Sequence, residues 1–256
     1  MITGVVIPAA GLGTRLRPLT DACAKEMLPV GGRPLLAASL LELLAADVPR
    51  AVVVVSPAKD DLRSWLRAHA PAGLSIEVAV QPEARGVLDA VARGAALLPP
   101  GPYAVLYPDY LHLPDQTGLA GLLRHADPSR GSLFAMLRVD DARRALLGAT
   151  ARVTCEAGDG ARRVTAVGGA TSPDEVALHT VFAEVRGEAH RAALAAGPLD
   201  DARVLPLLDG LARRSQLFGL QLAGEVLDLG VRAGYDDAVA RFTSGAARWR
   251  DDARFR

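Results

Sequence analysis

Lysine is almost absent from this sequence: Lys25 and Lys59 are the only two, and Arg supplies the rest of the 29 basic residues. A GC-rich genome accounts for that bias and for the heavy use of Ala and Leu. Under it, a retained lysine marks a place where a compact ammonium differs from a planar guanidinium, which adds slight weight to Lys25. Net charge is lacking as well, since 29 Lys and Arg balance 29 Asp and Glu. No global field draws the chain to nucleic acid or to an anionic membrane, so a small-molecule partner is expected. The two cysteines, Cys23 and Cys155, have neither metal-ligand spacing nor the density of a disulfide scaffold, which fits a reducing cytoplasm. No apolar run approaches the roughly 18 residues of a membrane helix. The opening MITGVVIPAAG has no basic segment ahead of its short apolar run, which breaks at Pro8, so it reads as a strand and not as a signal peptide. Repeats, linkers and low-complexity tracts are also missing.

What is present is ordinary for a globular protein: 50% hydrophobic and 23% charged residues over 256 positions, enough for one large α/β domain covering 1–256. Apolar runs alternate with amphipathic stretches in a β-α-β rhythm. Strands are predicted at about 2–8, 51–56, 75–81, 103–109 and 132–138, with helices near 34–46, through Ala70, and near 87–98. The second half is less regular. ARVTCEAG, RRVTAVGG and VALHTVFAEV read as strands separated by turns such as Asp159-Gly160 and Ser172-Pro173, before helices near 187–196 and 202–214. The expected fold is a Rossmann-like layered α/β fold with a mixed, mostly parallel central sheet and helices on both faces.

The segment PAAGLGTRLRPLTDACAKEMLP, residues 8–29, places two glycines, a hydroxyl residue, two arginines and a lysine directly after the first strand. In open α/β sheets, ligands bind beyond the carboxyl ends of the strands, where this loop must lie. Gly11 and Gly13 permit close backbone approach, so that successive N–H groups point at phosphate oxygens, while Arg15 and Lys25 supply charge. A dinucleotide fingerprint fails because its third glycine falls on Leu16, and a phosphate loop of the Walker type fails for want of Gly-Lys-Ser/Thr.

With Gly11, Gly13, Thr14 and Arg15 followed by Lys25-Glu26-Met27-Leu28-Pro29, the sequence resembles the sugar-1-phosphate nucleotidyltransferases. Among them it is most similar to bacterial UTP-glucose-1-phosphate uridylyltransferases and glucose-1-phosphate thymidylyltransferases. The resemblance runs in order over roughly residues 2–240 and is dense in the first 110. It implies the nucleotide-diphospho-sugar transferase type of fold, with a nucleotide half at about 1–112 and an acceptor half at about 113–256. It also implies nucleotide contacts at Ala10, Gly11, Gly13 and Thr14, and a base-reading element in Gln81-Pro82-Glu83-Ala84-Arg85-Gly86. There the Gln81 amide, which carries donor and acceptor, matches a uracil or thymine imide, and Gly86 lets the backbone approach. Asp109 in YPDYL and Asp228 in LDLGVRAGYDDAV fall where the family holds Mg2+; two carboxylates leave room for water and phosphate oxygens around such a hard cation.

The implied reaction joins a sugar 1-phosphate to the α-phosphorus of UTP or dTTP and releases pyrophosphate, with Arg15 neutralising the β and γ phosphates and Lys25 beside the α-phosphate. The sugar side departs from the family. A Glu-Lys-Pro expected in the second half is replaced by Ala166-Val167-Gly168-Gly169-Ala170, and His179 and Thr180 stand where relatives place a glycine against sugar hydroxyls. Either another cation such as Arg163 or Arg186 substitutes, or the acceptor is unusual and not a sugar, or the chain is a nucleotide-binding regulatory homologue that has lost activity. His69, His112, His125 and His190 are scattered and read as surface or capping residues; Trp65 reads as packing, and Trp249 as part of a fraying helix or an oligomer contact.

Overall fold

The computed structural model describes residues 1–113, 118–138, 145–147, 151–168, 174–182 and 204–255, with only the backbone of 151 and 174–179. In chain order the first half holds β1 (Val5–Ala9), a hairpin of β2 (Pro29–Val30) and β3 (Arg33–Pro34), α1 (Leu36–Ala45), β4 (Arg50–Val55), α2 (Asp60–His69), β5 (Ser75–Val80), α3 (Val87–Ala95), β6 (Tyr103–Leu106) and β7 (Tyr110–His112). The second half holds α4 (Gly118–His125), β8 (Ser132–Arg138), β9 (Ala151–Cys155), β10 (Ala161–Val167), β11 (Asp174–Phe182), α5 (Val204–Arg213), β12 (Leu217–Gln221), β13 (Val226–Asp228) and α6 (Arg232–Ser244).

One nine-stranded sheet takes strands from both halves, in the order β5-β4-β1-β6-β11-β8-β12-β10-β9. The pairs β5–β4, β4–β1, β1–β6 and β8–β12 are parallel, and only β11 and β10 run against the rest. The central strands β1 and β4 are built from β-branched residues that fill both faces. Their side chains alternate between two cores. Val5, Ile7, Val53 and Val55 pack with Leu36, Leu40 and Leu43 of α1, Leu62 and Leu66 of α2, and Leu119 and Leu122 of α4. Val6, Val52, Val54 and Val105 face the other way, against Ala90 and Val91 of α3 and Leu208 and Leu211 of α5. The layered, mixed sheet expected from the sequence is thus observed.

Several boundaries differ for local reasons. The strand expected over 103–109 stops at Leu106, and Pro108, which has no N–H for a ladder, lies in the turn that follows. The helix expected from 34 begins at Leu36 because Pro34 pairs with Pro29 in the hairpin. The short strands β7 and β13 pair only with each other, Asp228 opposite Tyr110 and Val226 opposite His112, as a ribbon beside the main sheet. Three residues are too few to show a period. The helix expected near 187–196, the Ser172-Pro173 turn, Arg186 and His190 lie outside the described residues.

A third apolar cluster underlies the β1–α1 region: Leu16, Leu28, Val30 and Leu35 meet Leu111, Leu227, Leu229 and Tyr235. Trp249 belongs to it, and in place of a fraying helix its Nε1 donates to the carbonyls of Val30 (2.9 Å) and Gly31 (3.1 Å). Tyr235 Oη donates to Pro29 O at 2.8 Å, so the C-terminal region fastens the hairpin that follows Lys25. Trp65 packs as expected, stacked on His69. His69 and His125 are exposed and engage carbonyls one helical turn back, whereas His112 is buried in β7 instead of lying at the surface.

Candidate active site

The polypeptide leaves the carboxyl end of β1 at Ala9, with Ala10 still buried, and turns at Gly13. Gly13 is left-handed (φ 68°), a conformation that favours glycine, and a Cβ on it would lie a tight 3.1 Å from both Lys25 Cβ and Thr20 Cγ2. Thr20 Oγ1 donates to Gly13 O at 2.9 Å, which closes the loop on itself. Gly11 is different: it is not left-handed, and a Cβ there meets nothing within 4 Å. The protein alone does not demand glycine at that exposed position. Thr14 and Arg15 are exposed on the short helical turn Thr14–Leu16, which Leu16 anchors in the third cluster.

A second short turn, Lys25–Met27, aims Lys25 at the segment after β6. Lys25 Nζ lies 2.6 Å from Asp109 Oδ2. Burial alone would lower the ammonium, but the carboxylates of Asp109, Glu26 and Asp228 outweigh it and hold Lys25 above its ordinary range. Burial likewise pushes the Asp109 carboxyl up, and the Lys25 charge and hydrogen bond, with a smaller contribution from Arg15, bring it below the usual carboxylate value. Arg15, Lys25 and Asp109 therefore share one electrostatic neighbourhood.

Asp228 arrives from the far end of the chain. Leu229 N donates to Asp109 O at 2.7 Å at the end of the β7–β13 ribbon, and Gly230 N donates to Asp228 Oδ1 at 2.8 Å. Asp109 Oδ2 lies 2.8 Å, and Asp228 Oδ1 3.0 Å, from where a Cβ on Gly230 would sit, so both carboxylates face one small volume that Gly230 keeps open. Burial, with the charges of Asp228 and Asp109, holds the nearby Tyr110 phenol well above its ordinary range, so it stays protonated. Among the described residues no cluster of three or more Asp, Glu, His or Cys could hold a metal unaided. Two carboxylate oxygens suit a hard divalent cation that takes its remaining ligands from water or phosphate.

The sequence reading missed what lies beneath. Lys59, at the N-terminal end of α2, donates at 2.6 Å both to Ala9 O and to Glu26 Oε2. An ammonium at a helix N-terminus opposes the helix dipole, and the buried Glu26 compensates. Burial pushes Glu26 up and Lys59 down, while each holds the other's charge. Two residues along, Asp61 Oδ2 accepts from Ala24 N at 2.9 Å. The start of α2 thus ties the end of β1 to the turn bearing Lys25. The only trace of this in the sequence is that Lys59 is one of two lysines.

Gln81 is buried beyond the end of β5, and its Nε2 donates to Gly86 O (3.0 Å) and to Asp89 Oδ2 (2.9 Å). The amide was expected to offer a donor and an acceptor outward; both donor hydrogens are used internally, and Oε1 is what remains. Of the two residues expected to contact the acceptor, Thr180 is buried in β11 opposite Val105, and the backbone of His179 pairs with Leu106; the His179 side chain lies outside the described residues. Arg163 is exposed and bonded to Glu156 and Ser215.

Comparison with known proteins follows the same lines. A family model described as nucleotidyl transferase matches residues 4–146. A UTP-glucose-1-phosphate uridylyltransferase of Haemophilus ducreyi is 30% identical over 156 residues, covering 52% of this chain and 50% of that one. A glucose-1-phosphate thymidylyltransferase of Xanthomonas campestris pv. campestris is 32% identical over 123 residues, covering 48% and 41%. The chain spans about half the length of the curated relatives it matches. A UDP-glucose pyrophosphorylase solved with UDP-glucose superposes with a TM-score of 0.81 over 96% of this chain and all of the other, at 20% identity, a likeness of fold.

Proposed function

This chain belongs to the nucleotidyl transferase family, and from there we propose that it transfers a nucleotidyl group from UTP or dTTP to a sugar 1-phosphate, releasing pyrophosphate. A phosphate oxygen of the acceptor forms a bond to the α-phosphorus as the bond to the β-phosphate oxygen breaks, and the electron pair leaves with pyrophosphate. The observation that carries this reading is the convergence of Lys25 and Asp109 at 2.6 Å, with Asp228 across Gly230, beyond the carboxyl end of β1.

Each residue has a part that its position supports. The turn from Ala10 to Thr14 receives the triphosphate, with Gly11 free of protein neighbours where phosphate oxygens approach. Arg15 neutralises the β and γ phosphates with its fork of donors, and Lys25 exchanges part of its contact with Asp109 for the α-phosphate as charge develops there. Asp109 and Asp228 would hold Mg2+, which when bound supplies Lewis-acid neutralisation of the phosphates. Gln81 and Gly86 receive the base, and His179 and Thr180 lie on the strand assigned to the acceptor. The free thiols of Cys23 and Cys155 suit action in a reducing cytoplasm, and no helix among the described residues is long and apolar enough to cross a membrane.

The test is pyrophosphate release from each of the four common triphosphates with Mg2+ and a panel of sugar 1-phosphates and phosphorylated alcohols. The expected result is turnover with UTP or dTTP and a sugar 1-phosphate, abolished in Lys25→Ala without loss of fold. Nucleotide binding with no pyrophosphate from any acceptor would overturn the enzymatic reading. Turnover with phosphorylated alcohols alone would move the acceptor out of the sugar class, an outcome that the engagement of Arg163 by Glu156 makes worth including.

A further inference from the structure

The amide of Gln81 sits between two groups that only accept hydrogen bonds. One is the carbonyl of Gly86 at 3.0 Å, and the other is Oδ2 of Asp89 at 2.9 Å. This fixes which end of the amide is which, because turning it over would set Oε1 against a carbonyl and a carboxylate at once. Among the described residues no group donates to Oε1.

Asp89 is itself held firmly. It is buried in the first turn of α3, where the helix dipole favours an anion, and Arg93 Nε, one turn later, donates to the same Oδ2 at 2.7 Å. Arg85 stands 3.9 Å from Oδ1. Burial pushes the carboxyl up, but the hydrogen bonds from Arg93 and Gln81 and the Arg93 and Arg85 charges outweigh it, so the carboxylate stays ionised and remains an acceptor.

We propose that Asp89, braced by Arg93, is a positioning residue that locks the Gln81 amide with Oε1 as its only outward group, so the site admits bases that present a ring N–H. Uracil and thymine present N3–H between two carbonyls, which an acceptor matches. Cytosine presents a bare N3, which would meet Oε1 lone pair to lone pair. The unlocked amide could turn over and greet either base, so discrimination resides in Asp89 as much as in Gln81. The proposal rests on the reading of Gln81 as the residue that meets the base.

The experiment measures the affinity of UTP and of CTP for the full chain by calorimetry, and kcat and KM for both, in wild type, Asp89→Leu and Asp89→Asn. Leu removes the acceptor, whereas Asn retains one carbonyl oxygen able to accept from Gln81. In wild type, UTP is expected to bind at least 100-fold more tightly than CTP. In Asp89→Leu that ratio falls by tenfold or more, mostly through KM, and Asp89→Asn restores most of it. Equal weakening of both nucleotides in Asp89→Leu, leaving the ratio intact, would show mere loosening of α3 and overturn the lock while sparing the proposed function. If Asp89→Leu does not fold, the smaller Asp89→Ala, which also removes the acceptor, takes its place, and an unaltered ratio there decides against the lock equally. Wild type that binds neither nucleotide removes the proposed function and the lock together.

Discussion

Lys59 and Glu26 form an ion pair at 2.6 Å beneath the loop that follows β1, with side chains 7% and 0% exposed. Removing one partner leaves the other charge buried, a loss of about 3–5 kcal/mol. Lys59→Met is expected to lose that much in denaturant unfolding, and the double replacement of Lys59 and Glu26 by Met to recover most of it. A Lys59→Met protein as stable as wild type would show that the pair contributes nothing to the loop's support.

Lys25 is partly open to solvent and bears on function more than on folding. Lys25→Ala is expected to lower kcat about 10²–10³-fold or more, the range for one preorganised donor aimed at developing charge. Its thermal midpoint should stay near that of wild type. A single-turnover assay with circular dichroism distinguishes this from general misfolding.

Gly11 and Gly13 should respond oppositely to alanine. Gly13→Ala meets a left-handed backbone and two side-chain atoms at 3.1 Å, and is expected to cost roughly 1–2 kcal/mol. Gly11→Ala meets nothing, so stability should change by less than about 0.5 kcal/mol. If the proposed triphosphate site is right, affinity for UTP, measured by calorimetry, should nevertheless drop at least tenfold, because the added methyl enters the open space beside the loop.

Gly230→Ala places a methyl about 3 Å from an oxygen of each carboxylate. Without a left-handed backbone to strain, its main effect is to spread Asp109 and Asp228. Titrating activity against Mg2+ should show at least a tenfold higher requirement, with little change in nucleotide affinity measured without metal.

Burial of His112 lowers its pKa to about 4, with the Arg250 charge acting in the same direction. The unfolded chain, with an ordinary value near 6.5, binds the proton first. Stability is therefore complete above about pH 6.5 and declines as pH falls toward 4, by about 3 kcal/mol for this group. His112→Gln should flatten that limb of a plot of unfolding free energy against pH.

Much of the fold was legible because β1 and β4 are unbroken apolar runs, as strands buried on both faces are, and amphipathic stretches separate the strands. Gly13, Arg15 and Lys25 were legible because their spacing in one loop has few other uses. The buried support was not. Lys59 stood out only as a rare residue type, since nothing local says that α2 begins under β1. Asp89 looked like any acid in a helical first turn until Gln81 was seen beside it. Trp249 carried no signal of the hairpin carbonyls it meets, because those partners lie more than two hundred residues away. Pairings of that kind are set by tertiary packing and leave no mark on neighbouring positions.

The β7–β13 ribbon brings Asp109 and Asp228 together from remote parts of the chain. Closing so long a loop has a large entropic cost and little local pairing to offset it, so this crossing should be among the later events of folding. Until the last part of the chain is made and this crossing closes, Asp109 stands without the second carboxylate, so the pair around Gly230 is a property of the completed fold alone.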